Sequence, residues 1–120
     1  MSIINSALYS IMLNEMQKLF LWLKEHADDY GWMVGIELLF DTPQLIVFDK
    51  ETNERLWDAI CHKYSYGGER GLLEIMGEKI VDEEKIGNTV EGFLTCDDVI
   101  DRIHRAYGNK EDNKDEKLHN

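Results

Sequence analysis

The feature that most constrains this chain is a change of hydrophobic period near residue 30. Between Ile4 and Ala27 the apolar residues Ile4, Leu8, Ile11, Met12, Met16, Leu19, Phe20, Leu23 and Ala27 recur at three- and four-residue steps, with no Gly or Pro between them. That spacing puts them on one stripe of a long amphipathic helix. Ser2 or Ser6 is placed to cap its start, and Asp28, Asp29, Tyr30 and Gly31 supply a stop with glycine just past the end. Leu13, Leu21 and Trp22 widen the stripe beyond what one sheet face covers. They predict either a covering loop or a contact with a partner or a second copy of the chain.

From Trp32 onward the texture is that of β-strands. Trp32 to Phe40 is aromatic and aliphatic, Asp41, Thr42 and Pro43 read as a turn, and Gln44 to Phe48 reads as the returning strand of a hairpin. After a polar turn from Asp49 to Glu54, Arg55 to Tyr64 reads as a third strand, with Trp57, Ala59 and Cys61 on one face and Leu56, Ile60 and His62 on the other. Leu72 to Met76 is either a short strand or one helical turn, because periodicity cannot separate the two over five residues. Gly87 and Asn88 close a polar excursion, and Thr89 to Leu94 reads as a further strand. Thr95 then caps a closing helix from about Cys96 to Tyr107, with Val99, Ile100, Ile103 and Tyr107 on its apolar face and Gly108 as its stop. The short connections favour an antiparallel meander. The expected class is therefore α+β: a long N-terminal helix packed on an antiparallel sheet of about four to five strands, followed by a C-terminal helix. Residues 1–108 form one domain in this reading, and the polar stretch 109–120 a disordered tail.

Composition narrows the function classes. At 120 residues and 43% hydrophobic side chains the chain supports one core. Its 24 acids against 13 bases give a formal charge of −11, which repels phosphate polyanions and disfavours direct nucleic-acid binding. No run approaches the roughly 18 to 20 apolar residues of a membrane span, and no basic segment precedes an apolar one at the N-terminus. The expectation is a cytoplasmic protein with no membrane contact and two reduced cysteines.

The acidity is uneven. Residues 69–101 hold ten acids and three bases, whereas 102–120 hold four acids and five bases. Glu69, Glu74, Glu78, Asp82, Glu83, Glu84, Glu91, Asp97, Asp98 and Asp101 carry the acidic segment. If exposed together, they could imitate the spacing of backbone phosphates and bind a partner's basic surface. The competing reading is that they only keep the domain soluble.

Chemical sites are sparse. Cys61 and His62 are adjacent on a strand, so their side chains diverge and do not pair as nucleophile and base. Cys96 opens the last helix, where the helix N-terminus favours a thiolate. Zinc could be held if Cys61, His62 and Cys96 met, with Asp97 or Glu69 completing the site; the alternative is two ordinary buried thiols. His26 and His104 sit late in their helices, where they complement the dipole. The loop from Gly67 to Gly71 lacks the lysine and hydroxyl residue of a phosphate-binding loop, and reads as backbone freedom at a sharp bend. No nucleophile, base and orienting group come together, so the chain is not expected to be an enzyme.

The stretch from Ser65 to Gly77 (SYGGERGLLEIMG), followed by Val90 to Thr95 (VEGFLT) and an acidic helix start, resembles small uncharacterised proteins of phages and integrative elements of low-GC Gram-positive bacteria. The resemblance covers about the C-terminal half and brings no functional residues with it. In size and acidity the chain is also similar to anti-CRISPR proteins that inhibit Cas9-type nucleases, some by mimicking DNA in basic channels. This likeness implies a non-enzymatic acidic protein of a phage or mobile element that inhibits a host nuclease. A type II CRISPR effector with its guide RNA is the implied partner, met at a nucleic-acid-binding surface or blocked at a conformational step. A zinc-stabilised interaction domain and a dimeric regulatory protein unconnected with nucleases are the alternatives.

Overall fold

Asn14 sets the start of the first helix in the computed structural model, which describes residues 13–81 and 89–110. Its Oδ1 accepts from the Gln17 backbone N–H at 2.8 Å while the Gln17 Oε1 accepts from the Asn14 N–H at 3.0 Å, a reciprocal capping box. Helix α1 therefore runs Glu15–His26 and continues as a 3-10 turn, Ala27–Tyr30, ended by left-handed Gly31. Asn14, which the helical period places on the polar face of an unbroken helix, is instead extended and caps α1; Ser2, Ser6, Ile4, Leu8, Ile11 and Met12 lie outside the described residues.

Five antiparallel strands follow in spatial order β1-β2-β3-β4-β5: β1 Trp32–Leu39, β2 Thr42–Asp49, β3 Arg55–Ile60, β4 Leu73–Met76 and β5 Val90–Leu94. Helix α2, Cys96–Tyr107, closes the described fold, capped by Thr95 and ended at Gly108 as its sequence signals. The α+β meander expected from the periodicities is the fold observed, and the ambiguous stretch after Gly71 is strand β4.

Two local boundaries differ from the sequence reading. The hairpin turn is Phe40-Asp41, both in the left-handed region, so Thr42 and Pro43 already belong to β2. Pro43 is tolerated because its missing N–H would face β3 beyond Ile60, the last residue paired with β2, so no ladder bond is lost. Strand β3 ends at Ile60 rather than Tyr64, since the chain folds into a turn in which the Ser65 N–H and Oγ both bond to the His62 carbonyl.

Both helices lie on one sheet face. Leu19, Leu23, Val99 and Ile103, each fully buried, pack with Leu45, Val47, Trp57, Ala59, Leu73 and Ile75. The helices run side by side in the same direction. At their starts the Glu15 carboxylate accepts from the Cys96 N–H at 2.9 Å; beyond their ends the Tyr30 hydroxyl donates to the Gly108 carbonyl at 3.0 Å. Among the described residues no helix is long and apolar enough to cross a membrane.

The glycine-rich loop is a close-packed clamp. Gly68 sits so tightly on the His62–Ser65 turn that a β-carbon there would overlap the His62 carbonyl oxygen, and Gly92 leaves no room beside the Tyr66 side chain. The Phe93 N–H donates to the Tyr66 carbonyl at 3.0 Å, which fixes Phe93 in the left-handed region and puts a bulge into the β4–β5 pairing.

Candidate interaction cleft

Strands of different length leave an open cleft of about 780 Å³ at one end of the sheet. It is lined by Tyr30 and Trp32 at the start of β1, Asp49 at the end of β2, Glu54 to Asp58 entering β3, Met76 to Lys79 leaving β4, Thr89, and Tyr107 at the end of α2. Its floor is aromatic. Trp32 stacks on Tyr30 at 4.5 Å between ring centroids and meets Tyr107 and Trp57 edge-on at 4.9 and 5.9 Å. Trp57 is fully buried, and its indole N–H is the one buried side-chain polar atom without a hydrogen-bond partner among the described residues. An unmet donor of this kind costs about 1–3 kcal/mol of stability.

Four carboxylates ring this floor, and they differ in what already holds them. Asp58 is buried and ion-paired with Arg55. The Asp49 carboxylate accepts the Thr52 and Glu51 backbone N–H groups, which hold its carboxyl below the usual range. Glu54 and Glu78 are exposed, and their carboxylates make no hydrogen bond or ion pair with any described residue. Burial and then the nearby Glu54 charge raise the Tyr107 phenol above its ordinary value. The chain's own cations already use the aromatic faces: the Lys79 ammonium lies 4.5 Å from the centroid of Tyr107, and that of Lys110 lies 5.3 Å from the centroid of Tyr30. Tyr30 and Trp32 are themselves buried and Tyr107 is only partly exposed, so the groups left to meet a partner's ammonium or guanidinium are the two uncommitted carboxylates.

The acidic residues of segment 69–101 do not form one exposed surface. Glu74 is buried, and its carboxylate accepts from the Tyr66 N–H at 3.0 Å. Glu91 is largely buried, and its Oε1 and Oε2 accept from the Arg102 Nε and Nη2 in bidentate fashion, which holds the guanidinium protonated still more firmly. Asp98 completes the capping box of α2, and the Thr95 N–H it accepts lowers its carboxyl. Among the described residues Glu69, Glu78, Asp97 and Asp101 are exposed, and only Glu78 lines the cleft. Asp82, Glu83 and Glu84 lie outside the described residues. The sequence reading missed Asp49, Glu54 and the aromatic floor, because these belong to turns and strand ends far apart in the chain; the polar turn 49–54 was the one visible signal.

The proposed zinc ligands are not assembled. Among the described residues no three His, Cys, Asp or Glu side chains gather where they could hold a metal ion. Cys61 faces the core with its Sγ 3.9 Å from the Gly68 carbonyl. His62 is buried beneath Phe40 and Tyr64, with its Nδ1 accepting from the Tyr64 N–H at 3.0 Å. Cys96 is buried at the start of α2, and there the helix N-terminus does not produce a thiolate: burial, then Asp97 and Glu15, push its thiol up to about 12. Because the folded state holds this proton more tightly, the associated stability is present below the ordinary thiol value of 9.0 and is lost as pH rises toward about 12. At a pH of about 8, Cys96 is expected to resist alkylation in the folded protein and to react on unfolding. Mass spectrometry of the peptides would show this, and modification of native Cys96 at the rate of a free thiol would contradict the placement.

The chain matches no known family model, no curated protein and no solved structure.

Proposed function

We propose that this chain is a non-enzymatic binding protein whose sheet-end cleft takes a basic segment of a protein partner. The observation that carries the reading is the pair of exposed, uncommitted carboxylates, Glu54 and Glu78, that line this cleft. Lysine and arginine side chains suit such a site, since an ammonium or guanidinium group forms charge-assisted hydrogen bonds with a free carboxylate. The −11 formal charge adds long-range attraction to a basic surface and speeds encounter with it. The partner class put forward is a nucleic-acid-handling nuclease, and the likeness in size and acidity to anti-CRISPR proteins nominates a type II CRISPR effector with its guide. Inhibition would follow either from covering a basic nucleic-acid channel or from holding a domain in one conformation.

The test is DNA cleavage by Cas9–guide complexes of several orthologues, with and without the protein, alongside gel filtration of the mixtures. Inhibition with comigration is expected for at least one orthologue, and both should be lost in Glu54→Lys/Glu78→Lys. The variant is expected to fold as the wild type does, because Glu54 and Glu78 are exposed and form no ion pair with a described residue. Association should weaken as salt rises. Unchanged cleavage and no comigration with every orthologue would sink the nuclease assignment.

A further inference from the structure

Strand β1 is an edge of the sheet and differs sharply from the opposite edge. Strand β5 has five residues and is broken by the bulge at Gly92-Phe93, the usual means of blunting an edge. Strand β1 has eight residues in unbroken register with β2 and contains no Pro, Lys or Arg. The Lys50 N–H donates to the Gly31 carbonyl at 2.9 Å, one step beyond the Trp32–Asp49 pair, so the odd-numbered residues of β1 bond to β2. Trp32, Val34, Ile36 and Leu38 therefore turn their backbone N–H and C=O groups to the free edge, and no described residue bonds to them there. The flanking surface is apolar. Leu21, Ile36 and Leu38 are 46%, 54% and 73% exposed, and Leu21 and Ile36 line a groove of about 350 Å³ with Leu13, Met16, Phe20 and Pro43.

We propose that this edge pairs with the β1 edge of a second copy, antiparallel about a two-fold axis at Ile36, joining two five-stranded sheets into one. The strand itself selects a copy of this chain as occupant. With Ile36 opposite Ile36, Val34 faces Leu38 on the helix side, so apolar meets apolar in both halves. On the other face each Glu37, the sole charged residue of β1, meets the partner's Gly35, which keeps the two carboxylates off each other. Centring the axis on Gly35 would instead set each Glu37 against the partner's Met33, a carboxylate opposite an apolar side chain in both halves. The two-fold at Ile36 also brings the two Leu21–Ile36 patches together over the grooves. Leu13 and Leu21 are thus part of this surface, whereas Trp22 is not, being half-buried against His26, Tyr30 and His104.

Sedimentation equilibrium of the full chain over a range of concentrations tests this. The expected result is a species of about twice the 14.0 kDa chain mass that tightens as salt is raised, because salt screens the repulsion between two acidic copies. Ile36→Lys should return it to the monomer mass. So should Ile36→Pro, which removes an outward N–H without touching the β1–β2 ladder. Ile36→Cys should cross-link across the axis under mild oxidation, since hydrogen-bonded antiparallel partners stand about 5.5 Å apart at Cα. Leu38→Cys should not, its two copies being roughly 13 Å apart along the strands. A wild-type chain that stays monomeric at every concentration, as it would if another segment of the chain covered the edge, overturns the proposal. A dimer indifferent to Ile36→Lys, or cross-linking equally at both positions, overturns it too. The cleft reading is tested separately, because its binding weakens with salt and depends on Glu54 and Glu78.

Discussion

Truncating Trp57 to alanine is expected to destabilise the protein by about 3–5 kcal/mol, the range for removing a large aromatic side chain from a core. Trp57 is fully buried at the centre of β3, where it meets Trp32 edge-on and packs within the cluster that joins both helices to the sheet. Its unmet indole N–H makes a second variant informative. Trp57→Phe keeps most of the ring contacts and removes a buried donor that has no partner, so the lost volume and the relieved desolvation oppose each other. We expect Trp57→Phe to lie within roughly 1 kcal/mol of the wild type. Chemical denaturation of the three proteins would measure both differences. A Trp57→Phe variant as unstable as Trp57→Ala would mean that the indole N–H has a partner essential to the fold.

Gly68→Ala should be nearly as damaging, although it adds only a methyl group. The added carbon would overlap the His62 carbonyl oxygen and crowd the Ser65 Oγ, both parts of one hydrogen-bonded turn, so relief requires moving backbone. The expected loss is about 3 kcal/mol, or roughly 10 °C in melting temperature. Gly71→Ala is the internal control: Gly71 has a positive φ, but a β-carbon there would meet nothing within 4 Å. It should lose only about 1 kcal/mol of left-handed strain. Thermal melts that rank the two alanine variants in the opposite order would contradict the close packing of this loop.

The parts of the fold legible in the sequence are those whose cause is local. Thr95, the helical stripe of Val99, Ile100, Ile103 and Tyr107, and Gly108 lie within one helix length, and the observed α2 ends where they indicate. Strand alternation from Trp57 to Cys61 placed the core face for the same reason. The start of α1 differs from the periodicity because Asn14 lies within a continuous apolar period, and its capping box with Gln17 outweighs that period locally. Charge was countable but its use was not. Glu91 is consumed by Arg102, eleven residues away, and Glu74 by the Tyr66 backbone, neither of which composition reveals. Asp98 was within reach, since the spacing Thr95-x-x-Asp98 is a capping-box signature. Of the cleft only the polar turn 49–54 is legible in the sequence: its aromatic floor combines Tyr30, Trp32, Trp57 and Tyr107, which only the meander and the parallel helices bring together.

Titration of the isotope-labelled protein with an arginine-rich peptide, followed through the indole N–H signals of its three tryptophans, tests the binding role of the cleft most directly. Trp32 and Trp57 line the cleft and Trp22 does not, so saturable shifts are expected for the first two and little change for the third. The shifts should vanish in Glu54→Lys/Glu78→Lys. Indole signals that stay fixed throughout the titration, or that move as much in the charge-reversed variant as in the wild type, would contradict the account.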